Sequence, residues 1–333
     1  HQPGKAKKRP APTALELSRP CPKNRSASFL DTKTHEDTPS HTKLCFRLAI
    51  EFLVLSRLVR PPSSYSLIML HFIKQLASSA GQLAQQLRND IGGSGLQTSS
   101  KANDKDLVTL ADRQVEDFVI AEISRRYPEH GILAEESGLA SSASPYLWVI
   151  DPIDGTASYI HEQPGYCVSI ALRQQDRTQY AAVCAPVFNQ LYHASLGGGA
   201  YCNDKPIRVI DHGDLSQSQV ATGFSCLRAG WDKINNLQYF CALARQAREV
   251  RRYGSAALDL CWLAAGKIDA FWELNLQEYD VAAGSLIVTE AGGEICDLQG
   301  GNDYPRQGML ACNGAAMQKT MLEYFKEYKR PQN

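Results

Sequence analysis

The stretch LWVIDPIDGT, residues 147–156, is the part of this 333-residue chain that most constrains its fold. Its apolar first half is typical of a strand that is covered on both faces. We expect this strand to carry Asp151 at its C-terminal end, because Pro152 cannot continue a central strand. Asp154 follows three residues later, and Gly155 opens a turn or a helix. The two carboxylates can therefore converge on one point.

Two carboxylates in this arrangement form a candidate site for a hard cation. Carboxylate oxygens, together with an intervening backbone carbonyl such as that of Ile153, are the ligands that Mg²⁺ prefers. The backbone N–H groups of Gly155 and Thr156, at the start of a helix, would attract a phosphate. A cation site beside a phosphate site points to metal-assisted phosphoryl chemistry. In the alternative interpretation, Asp151 and Asp154 only form a turn and cap a helix.

Further carboxylates follow other predicted elements and favour the cation site. Glu135 and Glu136 come directly after a short predicted strand, and Asp112 lies near the start of a helix. Asp280 begins a helix near the end of the chain, where a capping role is expected in any case. Each of these groups could also be a solvated charge. Their joint occurrence with residues 147–156 makes a shared acidic site the better interpretation.

The pattern of apolar residues predicts one catalytic unit made of two halves. Apolar positions recur at three- and four-residue intervals over residues 72–87 and again over 109–126, which predicts two helices. Residues 69–205 form an N-terminal α+β half in which these helices cover an antiparallel sheet. Strands alternate with helices over residues 206–333, which indicates a smaller C-terminal α/β half. The expected fold class is a layered α/β sandwich.

Residues 1–68 differ in composition from the rest of the chain. They hold 8 of the 16 prolines, and their 12 Lys/Arg against 5 Asp/Glu offset an excess of acidic residues in residues 69–333. We interpret residues 1–68 as a disordered or non-native extension before Met69, the first methionine. An organellar targeting peptide and a basic nucleic-acid-binding arm are the alternatives.

The composition argues against several classes of protein. A formal net charge of zero argues against a strongly basic nucleic-acid binder. No apolar run reaches the roughly 18 residues of a transmembrane helix, so no membrane partner is expected. The ten cysteines lack a C-x-x-C pair and zinc-site spacing, which is typical of reduced thiols in a cytoplasmic protein.

Three blocks of sequence make the chain similar to the inositol monophosphatase family. The blocks are residues 106–112 with 131–137, residues 148–156, and residues 279–284 with 290–293. The resemblance extends over about residues 69–325. Residues 254–260 and 271–273 are similar to bacterial members of the extragenic-suppressor type. Tyr279 stands where the family usually has tryptophan, so an aromatic side chain still precedes Asp280.

The resemblance implies a sugar-phosphatase-like αβαβα sandwich that binds two to three Mg²⁺ ions between its halves. One ion would be held by Glu135, Asp151 and the carbonyl oxygen of Ile153. A second ion would be held by Asp151, Asp154 and Asp280, and a third, weaker one would lie near Glu135.

The resemblance also implies the catalytic residues. Asp112 and Thr156 would orient and deprotonate a metal-activated water that attacks the phosphorus in line. Glu136 would act through water contacts, and Lys101 matches a family lysine near the site.

The expected substrate-binding residues, by the same resemblance, are Gly155, Thr156, Gly254, Ser255, Ala256 and Glu273. An acidic Glu273 suits the hydroxyl groups of a polyol better than a second phosphate, which favours an inositol or sugar monophosphate. A surface glutamate at a strand end is the alternative for Glu273. Histidinol phosphate, fructose 1,6-bisphosphate and a 3′-phosphonucleotide are the alternative substrates.

The activity implied by the resemblance is that of a Mg²⁺-dependent, lithium-sensitive inositol monophosphatase that acts as a homodimer. An additional regulatory role, through transcription or RNA partners, is the competing hypothesis, because bacterial relatives of this type are associated with transcription complexes. The basic cluster of Arg248, Arg251 and Arg252 is interpreted as a solvated face, with an RNA contact as the alternative.

Overall fold

The structure is a computed structural model, and it describes residues 64–91, 98–100, 107–230 and 235–328. Residues 1–63, which make up most of the predicted extension, and Lys101 lie outside these ranges. The first described helix begins at Ser64 and therefore includes the last residues before Met69.

The described part of the chain contains eight α-helices and fifteen strands. The helices are α1 (Ser64–Ile91), α2 (Leu110–Arg126), α3 (Thr156–Ile160), α4 (Ser225–Arg228), α5 (Asn236–Leu243), α6 (Ala256–Ala264), α7 (Glu278–Glu290) and α8 (Ala315–Tyr328). The first ten strands are β1 (Thr98–Ser100), β2 (Leu107–Thr109), β3 (Gly131–Ala134), β4 (Gly138–Ala140), β5 (Tyr146–Asp154), β6 (Cys167–Gln174), β7 (Arg177–Ala185), β8 (Gln190–Ser195), β9 (Gly199–Cys202) and β10 (Lys205–Pro206). The others are β11 (Gln219–Thr222), β12 (Glu249–Arg251), β13 (Ala270–Glu273), β14 (Glu294–Cys296) and β15 (Met309–Cys312).

The larger sheet has eight strands in the order β10-β9-β8-β7-β6-β5-β3-β4. Its neighbours are antiparallel except for the pair β3–β5, which is parallel. On one face, apolar side chains of α1 and α2 form a core with Trp148 and Ile150 of β5. Val149, between them, packs on the opposite face against α6 and α7. The apolar run of β5 is thus covered on both faces, as its sequence predicts.

The smaller sheet has five strands in the order β12-β11-β13-β15-β14, with parallel and antiparallel neighbours. One face packs against α6 and α7, because Phe271 and Met309 belong to the same core as Val149. The other face packs against α5 and α8, through residues such as Tyr239 and Phe325. Five layers result, helix–sheet–helix–sheet–helix, which confirms the predicted αβαβα sandwich.

Parts of the C-terminal half differ from the sequence-based expectation. The sequence pattern predicts a helix around Trp231 to Arg248, of which residues 231–234 lie outside the described ranges. The helix α5 ends at Leu243, and the next strand, β12, begins at Glu249. Strand β12 has three residues and pairs in parallel with β11. Because a three-residue edge strand has no measurable hydrophobic period, its position depends on the neighbouring strand rather than on its own sequence.

Two further expectations concern the membrane and the thiols. Among the described helices, none has the length and apolar character that a bilayer crossing requires. The eight cysteines in the described ranges are free thiols, and six of them, including Cys167, are buried. That these thiols are reduced in the cell stays a prediction from their spacing.

Candidate active site

A bulge in β5 brings two carboxylates to the same side of the sheet. Asp151 pairs with Ser169 of β6 and Asp154 with Cys167, so β5 carries one extra residue between the two pairs. Beyond the bulge, Ile153 packs in the core of α1 and α2, on the face opposite to that of Val149. In a regular strand, residues three apart point to opposite faces. The bulge reverses the alternation, and Asp154 therefore comes to the face of Asp151.

The prediction that β5 ends at Asp151 was wrong. The strand continues to Asp154, with Pro152 inside the bulge. A proline has no N–H group to donate, so it is tolerated in a central strand only where the ladder of hydrogen bonds is interrupted.

The first turn of α7 provides a third carboxylate. One oxygen each of Asp151, Asp154 and Asp280 lies within 4.8 Å of the others. Asp280 is also part of a capping box, in which the backbone N–H of Gln277 donates to its Oδ2 at 2.6 Å. The expected capping role is therefore present, and it fixes the rotamer of a group that faces the other two carboxylates.

These acidic groups destabilise one another when all of them are ionised. Burial, followed by repulsion from Glu135, Asp154, Asp280 and Asp112, raises the pKa of Asp151 well above its usual value. Burial and the charge of Asp154 act in the same direction on the pKa of Asp280. The Oδ1 atom of Asp151 is buried and has no hydrogen-bond partner.

Asp154 is held in place by the start of α6. Its Oδ2 accepts hydrogen bonds from Ser255 Oγ at 2.6 Å and from the Ala257 N–H at 2.7 Å. Ser255 is the N-cap of α6, and its hydroxyl oxygen accepts from the Leu258 N–H. These donors only partly offset burial, which raises the pKa of Asp154 to about 7.

Gly155 and Thr156 make the tight connection from β5 to α3. Gly155 has a φ of 94°, and a Cβ atom there would lie 2.6 Å from the carbonyl oxygen of Gly165. Only glycine fits this position without a shift of the backbone. The Thr156 hydroxyl donates to the Ile153 carbonyl at 3.2 Å. This carbonyl oxygen keeps a second lone pair, which a cation could use.

A buried glutamate on α2 supports the turn that carries Glu135 and Glu136. The carboxylate of Glu116 accepts hydrogen bonds from the backbone N–H groups of Glu136 and Ser137, both at 2.8 Å. Glu116 is only 2% exposed and lies one helical turn after Asp112, which is 1% exposed.

The acidic cluster lines a cavity of about 390 Å³. Predicted site residues that line it are Glu135, Asp151, Ile153, Asp154, Gly155, Thr156, Gly254, Ser255, Ala256, Glu273 and Asp280. Asp112 and Glu136 do not belong to this lining. Asp112 nevertheless lies close enough to Asp151 for its charge to raise the pKa of Asp151. The charge of Glu136 likewise contributes to the raised pKa of Tyr279, which lines the cavity.

Glu273 and two basic side chains also line this cavity. Glu273 is 7% exposed, and its Oε1 accepts from the Ser225 hydroxyl at 2.9 Å, so it is not a surface glutamate. A Cβ atom on Gly223 would lie 2.0 Å from Glu273 Oε2, so only glycine leaves room for this carboxylate. Arg228 and Arg252 also line the cavity and lower the pKa of Glu273, against the larger effect of burial.

Comparison with known proteins identifies the family. A model of the inositol monophosphatase family matches residues 68–330. The chain belongs to this family. It is 36% identical over 267 residues to the Nus factor SuhB of Pseudomonas aeruginosa, and the match covers 79% of this chain and 97% of that protein.

Two further comparisons agree with this assignment. The inositol-1-monophosphatase of Mesorhizobium japonicum is 36% identical, over 78% of this chain and 96% of its own length. The crystal structure of the extragenic suppressor protein suhB from Bartonella henselae superposes with a TM-score of 0.71 at 34% identity, over 76% of this chain and 96% of that one. The inositol monophosphatase fold and a phosphatase type of enzyme are thereby shown.

Several residues of this inositol monophosphatase-family site were missed by sequence reasoning. They are Glu116, Gly223, Ser225, Arg228, Arg252 and Asp259. Only Glu116 had a usable signal, because Asp112 and Glu116 continue the buried helix face of Val119 and Ile123 at spacings of three and four residues. The others reach the cavity through tertiary packing. Arg252, for one, lines the cavity, although its cluster was interpreted as a solvated face.

The raised pKa of Asp154 predicts how stability depends on pH in EDTA. The folded state retains a proton that the unfolded state has lost, so this group stabilises the fold below about pH 4, and the effect is lost as the pH rises through about 7. Wild-type protein should therefore lose stability relative to Asp154→Asn over this range. Urea unfolding in EDTA at several pH values checks it, with the exposed Asp117→Asn as control. A difference that is independent of pH, or that changes in the opposite direction, contradicts the assignment.

Proposed function

We propose that the chain is a Mg²⁺-dependent phosphomonoester hydrolase whose preferred substrates are inositol or sugar monophosphates. The observation that carries the proposal is the convergence of Asp151, Asp154 and Asp280 within 4.8 Å, in a cavity of the inositol monophosphatase fold. Membership of the family supports the phosphatase activity, and the geometry of the cavity supports the choice of cation and alcohol.

The donor set of the cluster fits Mg²⁺. The cluster consists of carboxylate oxygens of Asp151, Asp154 and Asp280, and Glu135 and Ile153 line the same cavity and would add a carboxylate and a carbonyl oxygen. Mg²⁺ prefers oxygen ligands. The buried Oδ1 of Asp151 lacks a donor, and a cation would satisfy it. When bound, divalent cations stabilise the charge that develops on the phosphoryl oxygens and on the attacking and departing oxygens.

The chain's own residues would position the reactants. The backbone N–H groups of Gly155 and Thr156 lie at the start of α3 and can donate to phosphate oxygens. Thr156 and Asp112 would orient the attacking water, with Asp112 accepting its proton through the Thr156 hydroxyl. Asp112 is 1% exposed, which supports this role, since its carboxylate is kept out of bulk solvent. Glu136 would act through a water.

The alcohol portion of the substrate would lie beside Gly254, Ser255, Ala256 and Glu273, which line the same cavity. Glu273 accepts hydrogen bonds, and a polyol provides donors. Arg228 and Arg252 make this part of the cavity less acidic than the sequence suggests. The alternatives with a second anionic group, fructose 1,6-bisphosphate and a 3′-phosphonucleotide, therefore belong in the test, as does histidinol phosphate.

Phosphate release from a panel of these substrates, with Mg²⁺ and with EDTA, tests the proposal. We expect the highest kcat/KM for a polyol monophosphate such as myo-inositol 1-phosphate, no turnover in EDTA, and inhibition by millimolar Li⁺. Asp117→Asn, which removes an exposed carboxylate of α2, should behave as the wild type. Absence of release from every substrate would overturn the enzymatic assignment, whereas a higher kcat/KM for another panel member would change only the substrate.

Removal of the cation should also lower the stability of the fold. A ligand that binds only the folded state, at a concentration of about 100 times its dissociation constant, adds about 2.7 kcal/mol to the free energy of unfolding. This corresponds to a rise in Tm of roughly 5 °C or more. Mg²⁺ should produce such a rise in wild type and Asp117→Asn, and a smaller one in Asp151→Asn. Equal Tm values in EDTA and in millimolar Mg²⁺ would show that the cluster does not bind the ion.

A second function is favoured by the names of relatives. The similar protein of Pseudomonas aeruginosa, like that of Escherichia coli, carries the name Nus factor SuhB. We propose as the second candidate that this chain binds a transcription partner independently of hydrolysis. A pull-down with wild type and Asp154→Asn distinguishes the functions. Binding that is retained without hydrolysis shows both functions, and absence of binding in both proteins excludes the second.

We also propose that the protein is a homodimer and lies in the cytoplasm, which sedimentation and cell fractionation can test.

A further inference from the structure

A carboxylate that the cation site does not use lines the same cavity. Asp259 lies on α6, one helical turn after Ser255, and its backbone N–H donates to the Ser255 carbonyl at 3.0 Å. The residue is 2% exposed, and its Oδ1 atom is buried without a hydrogen-bond partner. Its neighbours Leu258 and Leu260 belong to the apolar core, whereas Asp259 belongs to the lining of the cavity.

The surroundings of Asp259 connect it with the part of the cavity that Glu273 lines. Burial, followed by the charges of Glu273 and Asp154, raises the pKa of Asp259, and Arg252 acts in the opposite direction. The neighbouring carboxyl groups of Glu273 and Asp259 differ in their hydrogen bonds, because Glu273 already accepts from Ser225. The carboxylate of Asp259 has an oxygen that still needs a donor.

A buried oxygen without a hydrogen-bond donor destabilises the protein unless a bound ligand donates to it. The destabilisation is larger when the oxygen is charged. A hydroxyl group of a bound alcohol can donate to Asp259 and at the same time accept from the guanidinium of Arg252, because a hydroxyl is both donor and acceptor. An apolar or aromatic leaving group has no donor to offer.

We propose that Asp259 is a substrate-binding residue that determines specificity: its carboxyl group accepts a hydrogen bond from a hydroxyl group of the leaving alcohol, beside the hydroxyl that Glu273 would bind. The proposal rests on the function proposed above and narrows its substrate class. The preferred substrate is a polyol monophosphate with at least two free hydroxyl groups near the ester.

A comparison of two substrates tests the role of Asp259. myo-Inositol 1-phosphate has a polyol leaving group, and p-nitrophenyl phosphate has a leaving group without a hydroxyl. The ratio of their kcat/KM values, at saturating Mg²⁺, should fall about 10-fold in Asp259→Ala, since this variant removes a hydrogen bond that only the polyol leaving group can make. Asp259→Asn keeps an acceptor oxygen and the shape of the side chain, so its ratio should fall by a smaller factor.

A matched variant separates recognition from a general loss of structure. Asp297 is another buried aspartate, it accepts several backbone N–H groups, and it does not line the cavity. Asp297→Asn should lower stability and leave the ratio unchanged. Equal fold-changes for both substrates in Asp259→Ala and Asp259→Asn, or no change in either, would overturn the proposal. If the wild type hydrolyses neither substrate, the proposed function fails, and this inference fails with it.

Discussion

Asp151→Asn is expected to reduce kcat/KM for phosphate release by at least about 10³-fold, because cation stabilisation of the transferring phosphoryl group contributes several kcal/mol. Asp151 is the most buried carboxylate of the cluster, and its neighbours repel it more than those of any exposed aspartate could. Asparagine keeps the shape of the side chain but removes the charge that attracts the ion.

Steady-state kinetics at high Mg²⁺ measures this loss. The fold should survive, since the substitution removes a buried negative charge from a repulsive group. Asp117→Asn, on the exposed face of α2, is the control. A loss of less than about tenfold at saturating Mg²⁺, with circular dichroism unchanged, would mean that Asp151 is not at the centre of the reaction.

Glu116→Ala is expected to weaken Mg²⁺ binding by about 10- to 100-fold, the usual cost of removing a residue that orients a metal ligand. Its carboxylate holds the backbone of Glu136 and Ser137 and therefore fixes the turn that carries Glu135. The loss of these two hydrogen bonds should also cost about 2 kcal/mol of unfolding free energy.

Mg²⁺ titration of activity and urea unfolding check these two effects. Glu116→Gln is the informative variant, because its amide keeps one acceptor oxygen but places an NH₂ group against the second backbone N–H. Its Mg²⁺ affinity should lie between those of the wild type and Glu116→Ala. Unchanged Mg²⁺ affinity in both variants would limit Glu116 to a role in stability.

The half of the site formed by β5 could be predicted because its determinants are local. The apolar run, Pro152 and the spacing of Asp151 and Asp154 together specify a buried strand that ends in two carboxylates. The sequence did not show that a bulge, rather than the end of the strand, turns both groups to one face. That geometry depends on the register with β6, which is a long-range property.

The part of the cavity that Glu273 lines could be predicted only in part. Glu273, Gly254 and Ser255 were found through the resemblance to a family. Asp259 and Arg252 belong to separate elements, α6 and the end of β12, and no periodic pattern connects them. They meet because the five-stranded sheet packs against α6, so their proximity follows from tertiary structure rather than from local sequence.

The charge distribution also gains a physical meaning from the structure. The acidic excess of residues 69–333 includes Glu135, Asp151, Asp154 and Asp280, which the fold places around one point. Charges of the same sign that are buried together destabilise the fold unless a counter-charge is bound. The acidic composition therefore fits the cation site that we propose for these residues.

Calorimetric titration of Mg²⁺ into EDTA-treated and dialysed protein tests the central claim most directly, which is that this carboxylate cluster is a cation site. Wild type and Asp117→Asn should bind about two to three ions in a saturable way, as expected for a multi-metal phosphatase site. Asp151→Asn should lose at least one of them. Identical isotherms for wild type and Asp151→Asn, or no saturable binding in the wild type, would contradict the account.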